Sequence, residues 1–381
     1  MAAKKRELKQ ALGAVLPMVL MVLVGAAAGY LGAELLLPGG DGRSLSERLR
    51  ELGWILIALG STVWLQTILH EAGHLVFGLA SGYRFVSFRI GSLMWQKDGG
   101  KLRFCRFQLA GTGGQCLMAP PDLTDGKMPY KLYNLGGVLM NLITAALAAG
   151  LVVLCWNSRI LRVFFILMAL VGVGAALTNG IPLRVGGVDN DGRNALMLGK
   201  DPAALRALWV QLSINEQQAM GRPLRQMPEE WFDLPTEGME NPLVATQAVM
   251  RENRLMEQHR FDEAAALTDW LGTQTTGLAP LYQSLLLCDR LTCALLQAED
   301  VTVLLKRWNS KANRSFRKQA GTLLTVLRTE YAAALLAAQD EAAAARFLRA
   351  FEKQAEHYPM KADVASERAL MALAAQMAAK R

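Results

Sequence analysis

Residues 53–80 read GWILIALGSTVWLQTILHEAGHLVFGLA. An apolar helix of about 20 residues crosses the hydrocarbon core of a bilayer, and this run exceeds that length. It nevertheless contains His70, Glu71 and His74. A charged side chain at the centre of a span costs about 2.5–3.5 kcal/mol, so ionisable groups rarely persist there without a role. We therefore predict a membrane-spanning helix from Gly53 to Ala80 that carries a functional site.

The spacing of these three residues points to a metal site. Positions i and i+4 share one face of a helix, so the imidazoles of His70 and His74 can reach one metal ion. Glu71 lies beside them, close enough to act on a water molecule at that ion. In zinc hydrolases the metal lowers the pKa of water toward neutrality, and a glutamate transfers the protons. The expected cofactor is Zn²⁺, with Glu71 as the catalytic residue.

The composition of the chain agrees with a membrane protein that also has a soluble part. Its 381 residues are 52% hydrophobic and only 19% charged, whereas soluble domains carry about 25% charged residues. The formal net charge is +8, but no Lys/Arg run is interleaved with aromatic residues, so nucleic acid is not an expected partner. The 5 cysteines form no CxxC pair. Free thiols in a reducing cytoplasm are therefore expected, and a disulfide framework is not.

Four apolar stretches are long enough to span a membrane. In chain order they are Ala11–Leu37, Gly53–Ala80, Leu132–Trp156 and Ile160–Ile181. The first follows a basic start, as signal peptides do, and Ala26–Ala28 resembles a cleavage site. We favour a retained helix because this apolar run is longer than that of a typical signal peptide. Residues 1–52 would then form an N-terminal transmembrane helix and an external loop.

Lys and Arg residues set the expected orientation, because cytoplasmic loops are enriched in them. The N-terminus is basic, and the loop after the second span carries Arg84, Arg89, Lys97, Lys101, Arg103, Arg106, Lys127 and Lys131. Both are therefore expected in the cytoplasm, together with everything after Pro182. The prediction is a multi-pass integral membrane protein in contact with membrane lipid, with both termini cytoplasmic. Its compact architecture suggests a bacterial cell membrane.

Two regions outside the spans complete the predicted fold, an α-helical polytopic membrane protein with a soluble domain. Tyr83–Gly91 and Lys101–Leu109 are rich in Phe, Val and Ile and flank a turn at Lys97–Gly100, which predicts a small β-hairpin, cytoplasmic or re-entrant. Residues 201–242 contain several prolines and predict a connector. Residues 243–381 predict a helical cytoplasmic domain that resembles tetratricopeptide-type repeats, with an irregular bundle as the alternative. Either form would offer a docking surface for a protein partner.

A catalytic zinc ion needs a third protein ligand and one open position. The predicted membrane part contains no further histidine, so we expect a carboxylate close to the membrane on the same side. His70 and His74 lie toward the cytoplasmic end of their span, and Asp189 and Asp191 follow the cytoplasmic end of the last span. Either aspartate can complete the site on this reasoning.

Together these residues resemble the site-2-protease-type intramembrane metalloproteases. In that family HExxH lies in the first core helix and Gly-x-x-x-Asn in the second, while Asn-x-x-Pro followed by Asp-Gly ends the third. The matching residues here are His70–His74, Gly137 with Asn141, Asn179 with Pro182, and Asp191 with Gly192. The resemblance extends from Gly53 to Gly192 and makes residues 53–200 the expected metalloprotease core.

The resemblance also implies roles for single residues. It favours Asp191 over Asp189 as the third ligand, because Asp191 matches the Asp-Gly pair. It suggests Asn141 or Asn179 as groups that orient the peptide or stabilise the oxyanion, beside a packing or helix-end role for each. Two features depart from the family pattern. Leu183–Val188 separates the proline from the Asp-Gly pair, and no substrate-binding PDZ domain is evident.

The expected function is zinc-dependent hydrolysis of peptide bonds in membrane-embedded or membrane-proximal protein substrates, as in regulated intramembrane proteolysis. An unwound substrate segment could pair with the edge of the predicted β-strands. The alternative is a non-proteolytic zinc-binding membrane adaptor with a helical partner-docking domain. Glu71 argues against it, because a structural zinc site needs no general base. A prenyl-peptide-type protease would take its third ligand from a downstream glutamate, and a transporter would show repeat symmetry.

Overall fold

The computed structural model describes residues 44–107 and 113–380. Nearer the N-terminus it describes only the isolated positions Val15, Val19, Val22, Gly25, Ala26, Gly29 and Tyr30. The predicted first span, Ala11–Leu37, therefore lies outside the described residues apart from these positions. Within the described part, 3 helices are long and apolar enough to cross a membrane.

These three helices are α1 (Leu45–Ala80), α2 (Lys131–Leu154) and α3 (Arg159–Gly180), and each packs against the other two. They correspond to the second, third and fourth predicted spans. Helix α1 begins before the predicted Gly53 because Ser44 forms a capping box with Glu47, which satisfies free N–H groups of the first turn. Large apolar side chains remain exposed on the helices, which is consistent with a lipid-facing surface; among them are Leu56, Ile57, Trp64, Leu147 and Val153.

A close glycine crossing and a buried apolar cluster join the three helices. A Cβ added at Gly73 of α1 would lie 2.2 Å from the carbonyl oxygen of Gly136 on α2, so only glycine allows this close crossing. Ile55 and Ala58 of α1 are buried in one cluster with Val163 and Leu167 of α3. The helix end that carries His70 is thereby fixed against the start of α2.

A four-stranded sheet lies between α1 and α2 in the sequence. Its strands are β1 (Arg84–Ile90), β2 (Leu93–Asp98), β3 (Lys101–Arg106) and β4 (Gly114–Ala119), in the order β3-β2-β1-β4. The predicted hairpin was too small, since β2 and β4 were missed. The turn predicted at Lys97–Gly100 is confined to Gly99 and Gly100, whose φ angles of 56° and 85° suit a two-residue antiparallel turn.

The residues after α3 form a second, smaller hairpin. Strands β5 (Arg184–Val185) and β6 (Val188–Asp189) pair antiparallel around Gly186 and Gly187, which have φ angles of 58° and 86°. A short helix, α4 (Asp191–Met197), follows at once and packs against α2. The residues that separate Pro182 from the Asp-Gly pair thus form this hairpin.

The chain divides into two compact units. The first contains α1 to α4 with Gly113–Cys116, and the second contains Val86–Thr112, Leu117–Lys127 and Asp201–Arg381. Residues 201–242, predicted as a Pro-rich connector, begin with a helix. They contain α5 (Pro202–Ala219), an 18-residue helix whose cap Asp201 precedes a proline at the first turn, where proline is tolerated.

The second unit continues with eight longer segments of helix. They are α6 (Pro242–Glu257), α7 (Phe261–Thr273), α8 (Pro280–Leu296), α9 (Thr302–Trp308), α10 (Lys311–Gln319), α11 (Leu324–Ala332), α12 (Glu341–Ala355) and α13 (Lys361–Ala378). Neighbours in sequence pack in pairs, as in tetratricopeptide-type repeats, but α13 also packs against α5. A linear solenoid makes contacts only between adjacent repeats, and the contact of α13 with α5 departs from that pattern. The choice between tetratricopeptide-type repeats and an irregular bundle stays a prediction.

Candidate metal centre

Three side chains from α1 and the start of α4 converge in the first unit. Nε2 of His70 lies 3.2 Å from Nε2 of His74. Oδ2 of Asp191 lies 3.1 Å from the first nitrogen and 3.4 Å from the second. The side chains of His70 and His74 are only 13% and 12% exposed. The three atoms form a nearly equilateral triangle whose geometry can be compared with that of a metal site.

The hydrogen bonds on the far side of each imidazole fix which nitrogen carries the proton. Nδ1 of His74 lies 2.7 Å from the carbonyl oxygen of Tyr133, and Nδ1 of His70 lies 2.7 Å from Oδ1 of Asn141. Both oxygens only accept hydrogen bonds, so both Nδ1 atoms donate. The lone pairs of the two Nε2 atoms then face each other and Asp191. This is the arrangement in which histidines bind metals.

The triangle fits a metal ion in size and chemistry. Zinc–nitrogen and zinc–oxygen distances of about 2.0–2.1 Å in a tetrahedron put neighbouring ligand atoms about 3.3 Å apart. The three observed separations are 3.1, 3.2 and 3.4 Å. No hydrogen-bond donor in the described part of the chain satisfies the buried Oδ2 of Asp191. A cation among the three electron-rich atoms would remove their mutual repulsion, so these residues could hold a metal.

Helix α2 supplies the contacts that hold the His70 ring. A Cβ added at Gly137 would lie 2.4 Å from Cε1 and 2.5 Å from Nε2 of His70. Asn141, one turn later, is fully buried and provides the oxygen that accepts from Nδ1. The Gly-x-x-x-Asn pattern therefore has a physical reason here, because the glycine makes room for the ring that the asparagine orients.

A Gly137→Ala substitution is expected to weaken metal binding sharply, with Zn²⁺ as the probe ion, because the new methyl group would occupy the position of the His70 ring. Gly150→Ala in the same helix is the matched control, since a Cβ there meets nothing within 4 Å. Zinc competition against a chelator of known affinity measures both. Equal zinc affinity in the two variants would contradict the contact between α2 and His70.

The two residues that flank Asp191 fix its position. Asn190 donates from Nδ2 to the carbonyl oxygens of Thr178 and Ile181, at 2.9 and 2.7 Å, and its Oδ1 accepts from the backbone N–H of Arg193. It thereby caps α4 and attaches it to the end of α3. Gly192 lies so close to Gly180 that an added Cβ would clash with the carbonyl group of Gly180. Asp191, between them, is held toward the imidazoles.

Asp189, the alternative third ligand, lies elsewhere. Its carboxylate accepts from Nε of Arg184 at 2.6 Å and from Nε of Arg193 at 3.0 Å. Two guanidinium groups, one in the small hairpin and one in α4, therefore neutralise it. The geometry favours Asp191 as the ligand and gives Asp189 a role in shaping the hairpin.

Glu71 lies beside the triangle without belonging to it. It is close enough to His70, His74 and Asp191 for their charges to interact, and its carboxylate accepts a hydrogen bond from the backbone of Cys116. A Cβ added at Gly114 would lie 2.6 Å from Cγ of Glu71. The first residues of β4 therefore pack on this side chain and leave its carboxylate near the candidate metal position.

Asn141 and Asn179, the two remaining residues proposed from the sequence, form hydrogen bonds within the protein. Oδ1 of Asn141 accepts a hydrogen bond from His70. Nδ2 of Asn179 donates a hydrogen bond of 2.9 Å to the carbonyl oxygen of Ala175 on its own helix. A substrate role for either stays a prediction. Sequence reasoning missed Gln66 and Asn190. Gln66 was detectable as a polar residue in an apolar span, and Asn190 as a cap residue before a helix.

Comparison of the chain with protein-family models, with curated protein sequences and with solved structures gave no match. The resemblance to intramembrane metalloproteases therefore rests on the motif residues alone. Those residues meet in space: the histidines of α1, Gly137 and Asn141 of α2, and Asp191 after α3 all contribute to one centre.

Proposed function

We propose that this protein is an intramembrane zinc metalloendopeptidase. The observation that carries the proposal is the triangle of His70, His74 and Asp191 with Glu71 beside it, in a bundle of helices long enough to span a membrane. His70 lies 10 positions before the end of α1, or about 15 Å along the helix. A peptide bond would therefore be cleaved within the bundle, on the side assigned to the cytoplasm.

A zinc ion held there would lower the pKa of a water molecule and polarise the scissile carbonyl group. Glu71 is placed to take the proton from the attacking water and to deliver it to the leaving amine. His70 and His74, fixed by the Asn141 oxygen and the Tyr133 carbonyl group, keep their Nε2 lone pairs available. Asp191 would supply the third ligand, whereas Asp189 is paired with Arg184 and Arg193.

Peptide hydrolysis inside a membrane requires an extended substrate, because a helix hides its backbone. The strands that follow α1 offer backbone groups for edge pairing with an unwound segment. The helical part of the second unit is proposed as the docking surface for a protein partner. A bilayer surrounds the three apolar helices, and both termini face the cytoplasm in this proposal.

The experiment is a comparison of new protein N-termini. Purified protein in detergent micelles is mixed with membrane proteins extracted in the same detergent, and termini are identified by mass spectrometry, with Glu71→Gln as the reference. The proposal expects termini within or next to predicted spans that appear only with wild type, disappear with a zinc chelator and return with zinc. Identical termini for wild type and Glu71→Gln would overturn the protease and favour the zinc-binding adaptor.

A further inference from the structure

A buried glutamine precedes the metal-binding motif by one helical turn. Gln66 is 1% exposed and lies four positions before His70 in α1, within an apolar span. A primary amide in that environment must have all its polar groups satisfied. The identity of its partners therefore shows what the amide does.

The partners of Gln66 lie on both neighbouring helices. Its Nε2 donates to the carbonyl oxygen of Met168 on α3 at 3.0 Å. Its Oε1 accepts from Nδ2 of Asn141 at 2.7 Å, with the hydroxyl of Thr144 at 3.2 Å. Gly172 leaves the space for this contact with α3, because a Cβ there would lie 2.6 Å from Nε2 of Gln66.

These hydrogen bonds form a series from Met168 to His70, and the bond to Met168 sets the donor and acceptor in each of the others. The Met168 oxygen can only accept, so Gln66 must present its NH₂ group to α3 and its oxygen to Asn141. Asn141 must then present its NH₂ group to Gln66, where it also donates to the backbone oxygen of that residue at 3.0 Å. Its Oδ1 is left for Nδ1–H of His70, and Nε2 of His70 keeps a free lone pair.

We propose that Gln66 is a positioning residue of the metal centre. Its side chain holds the Asn141 amide in the orientation that makes His70 a metal ligand through Nε2. Helix α3, which supplies the Met168 carbonyl group, is thereby coupled to the ligand geometry in α1. The inference rests on the proposed metal centre and extends it to a residue outside the HExxH motif.

The ordinary role of a buried glutamine is to join helices, and the test must separate that role from positioning. Gln66→Met keeps the length of the side chain and removes both polar groups. Gln247→Met is the matched control, because Gln247 is also 1% exposed and donates to the carbonyl oxygens of Trp231 and Asp233 in the second unit. Both substitutions remove a buried amide, but only the Gln66 amide is hydrogen-bonded to Asn141, the partner of His70.

The measurement is the zinc dissociation constant of the full chain in detergent, by chelator competition, with the visible spectrum of the Co²⁺-loaded protein as a readout of ligand geometry. We expect Gln66→Met to weaken zinc binding by about tenfold, the usual effect of removing a group that supports a ligand, and to alter the cobalt spectrum. Gln247→Met should match wild type in both. Gln66→Glu, which keeps an oxygen facing Asn141, should bind zinc more tightly than Gln66→Met.

A double-mutant cycle tests the route through Asn141. If Gln66 acts through that residue, Gln66→Met combined with Asn141→Leu binds zinc no more weakly than Asn141→Leu alone. Additive losses, or unchanged zinc binding and cobalt spectrum in folded Gln66→Met, would overturn the inference while leaving the metal centre intact. Absence of zinc from wild type would instead overturn the proposed function itself.

Discussion

Replacing Glu71 with glutamine is expected to lower the rate of peptide hydrolysis by about 10²–10⁴-fold, the range that general acid–base catalysis supplies. The amide has the shape of the carboxylate and can still accept the hydrogen bond from the backbone of Cys116. It cannot take a proton from water. Zinc content should stay unchanged, because the triangle consists of His70, His74 and Asp191.

The control for this substitution lies in the same helix. Glu51→Gln removes a carboxylate whose Oε1 lies 3.8 Å from Arg159, remote in sequence from the metal-binding motif. Its hydrolysis rate should equal that of wild type. The comparison of new N-termini described above, followed over time, measures the rates of both variants at equal zinc loading. A Glu71→Gln protein that cleaves at the wild-type rate would show that another group moves the proton.

Removal of Asp191 should have the second large effect. Asp191→Ala deletes one of three ligand atoms, so zinc affinity should fall by more than the roughly 10–100-fold that follows loss of a supporting group. Asp189→Ala is the matched variant two residues away. It leaves Arg184 and Arg193, which are 32% and 33% exposed, able to hydrate, so zinc affinity should change little. Chelator competition on both proteins measures the difference.

The reverse pattern would contradict the assignment. If Asp189→Ala lost zinc and Asp191→Ala retained it, the hairpin would have to rearrange when metal binds. A loss of zinc in both variants would show that the hairpin around Asp189 is needed to hold Asp191 in place. Asp189→Asn, which can still accept a hydrogen bond from Arg184, would then separate loss of the hairpin from loss of a ligand.

The sequence was sufficient for those features that depend on local patterns. Apolar length identified α1, α2 and α3 to within a few residues, apart from the start of α1, where a polar capping box extends the helix beyond the apolar run. The i, i+4 spacing of His70 and His74 identified a shared helix face. Neither inference needed contacts between distant parts of the chain.

Three features were missed, each for a different physical reason. Strand β2 contains Gln96 and Lys97, and its pairing with both neighbours outweighs the weak strand preference of those residues. The prolines of residues 201–242 suggested a connector and gave no bounds for a helix in it; Pro202 lies in the first turn of α5, where its missing N–H is harmless. The role of Gln66 depends on a carbonyl group 102 positions away in the sequence.

The path of the chain from the end of α3 to Asp191 was also not predicted from the sequence. Residues 183–188 looked like an insertion that separated Asp191 from the end of α3. In the fold they close a hairpin, because the backbone N–H of Asn190 donates to the carbonyl oxygen of Leu183 at 3.0 Å. The glycines at 186 and 187 indicated a turn, but the position to which that turn returns the chain followed only from the structure.

The central claim is that the triangle holds zinc, and elemental analysis tests it most directly. Zinc and iron are measured together, because two histidines and one carboxylate can also bind Fe²⁺. Metal-replete wild-type protein purified in detergent should contain about one zinc ion per chain, as a single three-ligand site implies. Glu71→Gln should retain that zinc and His70→Ala should lose it. Wild-type protein without zinc above background, or with iron in its place, would contradict the account.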